Sequence, residues 1–199
     1  MILAEVLESL GACEEATLWL GKRRSLQKAW RECPRGDWNI WLACELELLD
    51  DLDVNAAIQS HITDSARDAI SDILGILGVP FLMDRLFRRH GLNGPGGVLD
   101  RESLTDAFRR RVPMPSPRVG SISCGGVFIC CVQSLSSSVY SPDVAYAYAR
   151  ILRLRQELDP LLTETESLVE LANYVRELTP FDDLVDMWEF RVQEYLEEP

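Results

Sequence analysis

The sequence predicts an all-α protein, a compact multi-helix domain of about eight or nine helices with one long irregular loop. Three observations carry this. Apolar residues recur at i, i+3 and i+4 through most of the chain, as in Ile2, Leu3, Val6, Leu7 and Leu10. Capping and breaking residues divide the chain at helix-sized intervals. No two alternating runs flank a hairpin turn, so a sheet has no visible nucleus.

The elements follow in order. The first apolar stripe ends at Gly11, and Ala12 to Leu20 forms a second segment closed by Gly21. Ser25 is a candidate N-cap for a third helix carrying Leu26, Ala29 and Trp30. Pro34 and Gly36 break it, and Asp37 is placed to cap a fourth through Trp38, Trp41, Leu42 and Leu46. Asp53 or Asn55 caps a long helix over Ala56 to Leu77, interrupted at Gly78 and Pro80. A helical arm over Phe81 to Arg89 follows, then a loop over Asn93 to Gly97 and a helix over Glu102 to Arg111 capped by Asp100. Residues 113–126 hold three prolines and three glycines, which predicts a loop or linker. Val127 to Leu135 suits a strand or a buried helix; a lone strand would lack a partner, which favours helix. Ser141 or Asp143 caps a helix through Leu158, where Ala145-Tyr146-Ala147-Tyr148-Ala149 offers small residues for close helix packing. Thr163 with Glu166 forms a capping box for a helix to Leu178, ended by Thr179-Pro180. Asp182 or Asp183 opens the last helix, whose stripe is Leu184, Val185, Trp188, Val192, Tyr195 and Leu196. Residues 1–199 read as a single helical domain with acidic C-terminal helices over 157–199.

Charge is segregated along the chain. The net −12 is carried almost wholly by residues 157–199, which hold 13 acids and 2 bases, whereas residues 61–156 hold 8 acids and 12 bases. Such a field repels nucleic acid and acidic lipid and attracts basic partners. Met1-Ile2-Leu3 leads directly to Glu5 without a basic start, and no uncharged apolar run reaches the ~18 residues of a membrane span. The expectation is a cytoplasmic protein, with its six cysteines reduced and no metal site, since no C-x-x-C pair exists.

Catalytic signals are weak. The chain has two histidines, His61 and His90, and the second suits a helix C-terminus. Cys124 precedes Gly125-Gly126 but has no paired base in the sequence. Gly94-Pro95-Gly96-Gly97 lacks the lysine of a phosphate loop. The basic clusters Arg85, Arg88, Arg89 and Arg109, Arg110, Arg111 read chiefly as partners for acids of the same chain. Arg35-Gly36-Asp37 reads as a turn and a helix cap. The expectation is a chain that is not an enzyme, needs no cofactor and contacts neither nucleic acid nor membrane.

The informative segment is Gly11 to Leu42. Four of the five tryptophans fall there, Trp19, Trp30, Trp38 and Trp41, and their spacing predicts a helix–turn–helix corner packed on indoles. The pattern is Gly11-Ala12-Cys13, Glu15-Ala16, Trp19-Leu20, Ala29-Trp30, Cys33, Arg35-Gly36-Asp37-Trp38 and Trp41-Leu42. It resembles a family of bacterial immunity proteins of toxin–immunity systems. Leu171-Ala172-Asn173-Tyr174-Val175-Arg176 before Pro180 is similar to that family's closing helix, and the Ala/Tyr run at 145–149 to its middle. The stretch from Asp50 to Ser141 departs from the family. The resemblance implies a protein that binds and neutralises a partner toxin; it carries over no catalytic residues, and the motif side chains read mainly as core. A phage-encoded acidic inhibitor of a bacterial defence enzyme is the alternative. The acids expected to meet a basic partner are Asp182, Asp183, Asp186, Glu189, Glu194, Glu197 and Glu198. A homodimer is compatible with the apolar content.

Overall fold

A computed structural model describes residues 2–20, 25–82, 106, 107, 110, 121–137, 141–162 and 164–197. Among them the chain is all-α, with nine α-helices, one 3-10 turn and no strand. The helices are α1 (Ile2–Ser9), α2 (Glu14–Leu20), α3 (Leu26–Glu32), α4 (Gly36–Glu45), α5 (Leu52–Ile76), α6 (Ser121–Ser137), α7 (Ser141–Leu158), α8 (Glu164–Leu178) and α9 (Phe181–Glu197), with the 3-10 turn at Pro80–Leu82.

Local chemistry accounts for most ends. Gly11 adopts φ +87 after α1, a conformation that costs an L side chain about 1–2 kcal/mol. The Ser25 hydroxyl accepts from the Lys28 amide at 3.2 Å and caps α3, as the sequence predicts. Two expected caps are corrected. Asp51, not Asp53 or Asn55, caps α5, its carboxylate accepting from the Asp53 and Val54 amides at 2.8 and 3.3 Å. Arg35, not Asp37, is the N-cap of α4; its guanidinium has no acceptor to offer the free helix amides and instead donates to the Asp37 carboxylate inside the first turn. Helix α6 starts at Ser121, so Ser121–Gly126 is helix rather than loop; residues 113–120 lie outside the described residues. The Val127–Leu135 stretch is helical. Of the expected arm over Phe81 to Arg89, Phe81 and Leu82 belong to the 3-10 turn and the rest lies outside the described residues, as do the loop at 93–97, most of the helix at 102–111 and the capping residue Thr163.

The chain divides into two compact units, Met1–Ile58 with Leu168–Pro199, and Gln59–Ser167. In the first, Val6, Leu20, Trp30, Ile40, Leu46, Leu171, Val175 and Leu184 are buried core. At Gly36 an added Cβ would lie 2.5 Å from Leu171 Cγ and 2.7 Å from the Ala172 amide nitrogen, so the start of α4 and α8 approach as only glycine permits. In the second unit, Ile62, Ala66, Ala69, Ile70 and Ile73 form the buried stripe of α5. Helices α6 and α7 pack on one another. Phe128, Val132 and Leu135 are buried on α6, and Ala145, Ala147, Tyr148, Ile151 and Leu152 on α7. The alanines keep that face shallow enough for close approach. Arg155 of α7 pairs with Asp72 of α5 at 3.2 Å.

Candidate functional site

The indole-rich segment folds into one corner. Helix α3 ends at the C-cap Cys33, and two residues later Arg35 starts α4. Trp30 points inward and is buried, while Trp19, Trp38 and Trp41 are half-buried. Trp19 and Trp38 meet edge to face with centroids 6.1 Å apart, a favoured aromatic geometry. The Arg35 guanidinium lies 4.7 Å above the Trp38 ring and grips Asp37 through two bonds of 2.9 and 2.7 Å. Its other nitrogen is 3.6 Å from Glu15 of α2. One arginine thus ties α2 to the first turn of α4, using the planar fork that lysine lacks.

The base of the corner is held by Arg176 of α8. Its Nη1 donates to the carbonyls of Trp30 and Cys33, both at 2.9 Å, and its Nη2 donates to Asn173 at 2.7 Å. These carbonyls belong to the open end of α3, where no helical N–H remains to satisfy them. Burial holds the Arg176 guanidinium below its ordinary pKa. Cys33 is buried beside it, its thiol donating to the Arg35 carbonyl at 3.5 Å, and burial pushes that thiol up to about 11. It is therefore a neutral packing group at neutral pH rather than a nucleophile.

Between these side chains lies a half-open cavity of about 50 Å³, lined by Ala16, the four indoles and Asn39 among others. Asn39 sits between Trp38 and Ile40 on the inward side of α4 and is only 2% exposed. Among the described residues its buried Nδ2 has no hydrogen-bond partner. Asn39 carries one sequence signal, its place four and seven residues before Ala43 and Leu46 on the apolar face of α4, which the fold buries.

The acids form a second feature, on α9. Asp182, Asp183, Asp186, Glu189, Glu194 and Glu197 are all exposed, and Glu198 lies outside the described residues. Glu194 bonds Arg191 at 2.9 Å, and Glu197 accepts from Gln193. Among the described residues no ion pair joins the other four. Phe190 and Leu196 stand out of the same helix, 55% and 60% exposed. Arg191 anchors the helix inward, donating to the Glu45 carbonyl at 3.3 Å and to Glu47 at 2.8 Å.

The residues considered for chemistry are not brought together. His61 lies within α5. His90 and the side chain of Cys124 fall outside the description, as do five of the six clustered arginines; Arg110 bonds the Asp106 carbonyl at 3.2 Å. Among the described residues no group of His, Cys, Asp and Glu could hold a metal ion, and no helix is long and apolar enough to cross a membrane. No protein family, curated protein or solved structure matches this chain.

Proposed function

We propose that the chain is an immunity-type inhibitor that binds a basic partner protein, a toxin, through the acidic face of α9. The carrying observation is that Asp182, Asp183, Asp186 and Glu189 are exposed and, among the described residues, outside any ion pair, on one helix that also exposes Phe190. Four such charges steer a basic cleft toward this face, and an exposed aromatic ring among them supplies the apolar contact that charge alone does not give. Asp182 and Asp183 also favour the N-terminus of their own helix. Asp186 and Glu189 lie beyond the first turn, so their exposure has no such local use.

The test is affinity capture from the native host at about 50 mM and about 300 mM salt, followed by binding kinetics on the captured partner. The expected result is one stoichiometric basic protein whose association slows several-fold with salt and with Asp186→Asn/Glu189→Gln. Its identity separates a toxin from a host defence enzyme, the target a phage-borne inhibitor would meet. A partner indifferent to both salt and substitution, or no partner at either salt, refutes the reading.

A further inference from the structure

We infer that Glu47 is a positioning residue: through Arg191 it fixes the pose of the outer half of α9, the stretch that presents Glu189 and Phe190. The use of that pose in docking rests on the function proposed above; the clamp itself does not. Two independent observations point there. The first is how α9 is seated. Leu184 and Trp188 are buried, whereas no residue from Glu189 to Glu197 is, and Val192 and Tyr195 reach only half-burial. Full apolar burial therefore ends at Trp188. Beyond it the helix is tied by Arg191, whose Nη2 donates to Glu47 Oε1 at 2.8 Å and to the Glu45 carbonyl at 3.3 Å.

The second observation is the backbone at Glu47. The Leu48 amide reaches back to the Ala43 carbonyl at 2.8 Å and the Glu47 amide to the Cys44 carbonyl at 2.9 Å. This bond pattern closes a helix with one left-handed residue, a place glycine takes without steric cost. Here it is Glu47 at φ +60, the one non-glycine with positive φ among the described residues. A glutamate strains the backbone there. Its ion pair with Arg191 has side chains 60% and 24% exposed, so it adds little stability in return. Stability alone therefore favours glycine at 47. What the glutamate supplies and glycine cannot is the carboxylate to which the outer half of α9 is tied. A strained residue whose side chain holds a recognition element is strain kept for pre-organisation.

The test compares the full chain with Glu47→Gly and Arg191→Met by thermal denaturation and by amide hydrogen exchange resolved along α9. Glu47→Gly should raise Tm by about 1–3 °C as the strain is relieved. The same variant should speed exchange over Arg191–Glu197 by about fivefold and leave Leu184–Trp188 unchanged. Arg191→Met should loosen the same stretch without the gain in Tm. A residue that only stabilised the fold would move both readouts the same way. Unchanged exchange over Arg191–Glu197 in Glu47→Gly, or a lowered Tm, overturns the inference. On the basic protein captured as above, Glu47→Gly should slow association several-fold although every acid of α9 remains. Unchanged association with a loosened helix end would overturn the positioning role and leave the acidic-face reading standing. If no protein is captured, that reading fails, and the exchange data still decide whether Glu47 holds α9.

Discussion

Gly36→Ala is the sharpest perturbation of the first unit. The new Cβ would sit 2.5 and 2.6 Å from Leu171 Cγ and Cβ and 2.7 Å from the Ala172 amide nitrogen. Neither neighbour yields easily, since Leu171 and Ala172 are fully buried and one of the contacts is backbone. Overpacking of this kind costs about 1–3 kcal/mol, and contact with backbone argues for the upper half. Against it stands the helix preference of alanine over glycine, about 0.8–1 kcal/mol in a helix interior and less at the first helical position. The net expectation is a loss of about 2 kcal/mol, or roughly 4–8 °C in Tm for a chain of this size. Circular dichroism with heat and with urea reads it directly. Gly75→Ala is the internal control: Gly75 lies in α5 with nothing within 4 Å of its would-be Cβ, so the same substitution there should gain up to about 1 kcal/mol. Movement of both variants in the same direction would show that the Leu171 and Ala172 contacts do not set the cost at Gly36.

Further expectations concern the same corner and the thiols. Arg176→Met should lose about 2 kcal/mol by urea titration, because two carbonyls at the end of α3 lose a charged donor; an unchanged midpoint would mean water replaces it freely. Arg35→Lys, which keeps the charge but loses the fork on Asp37 and the stacking on Trp38, should cost about 1 kcal/mol and alter near-ultraviolet dichroism of the indoles. Iodoacetamide at pH 8 should label exposed Cys13 and Cys130 rapidly and buried Cys33 and Cys131 only on unfolding, as peptide masses would show. Burial pushes both the Cys33 and Cys131 thiols from 9.0 up to about 11. The unfolded chain therefore loses these protons first, and stability should be full below pH 9 and fall by about 2 kcal/mol for Cys33, and by less for the more open Cys131, as pH rises toward 11. A Cys33→Ala/Cys131→Ala variant should flatten that slope.

What could be read in the sequence was whatever repeats locally. The helical period gave the all-α class, Ser25 gave a cap, and Gly11 and Gly78 gave two ends that do adopt positive φ. The caps of α4 and α5 were missed for a common reason. Asp37 and Asp53 are good capping types, yet in each case a near neighbour settled the matter: the Arg35 guanidinium engages Asp37, and Asp51 accepts the Asp53 and Val54 amides. The glycine-rich start of α6 read as a breaker because turn propensity was counted without tertiary context. The acidic face was legible because charge stays at the surface and needs no packing to find. The orphaned Asn39 amide was not, because only the fold decides whether an asparagine meets water.

The residues singled out in Gly11–Leu42 and Leu171–Arg176 are also those that hold the first unit together. Gly36 admits Leu171 and Ala172, and Arg176 ties off the helix that carries Trp30 and Cys33. These two segments lie far apart in the sequence and meet in one corner, so each explains the residue types required in the other. A glycine is needed because a leucine approaches, and an arginine is needed because a helix ends. Such a pattern specifies a scaffold, and any protein built on it would keep these residues whatever it bound. The choice of partner must then come from side chains that the packing leaves unconstrained. On the first unit these include the outer acids of α9, where Asp186 and Glu189 bear no packing load, and a substitution can change binding without changing the fold. Loss of partner binding with unchanged Tm in Asp186→Asn/Glu189→Gln, set beside loss of Tm in Gly36→Ala, would separate recognition from scaffold within a single helical unit.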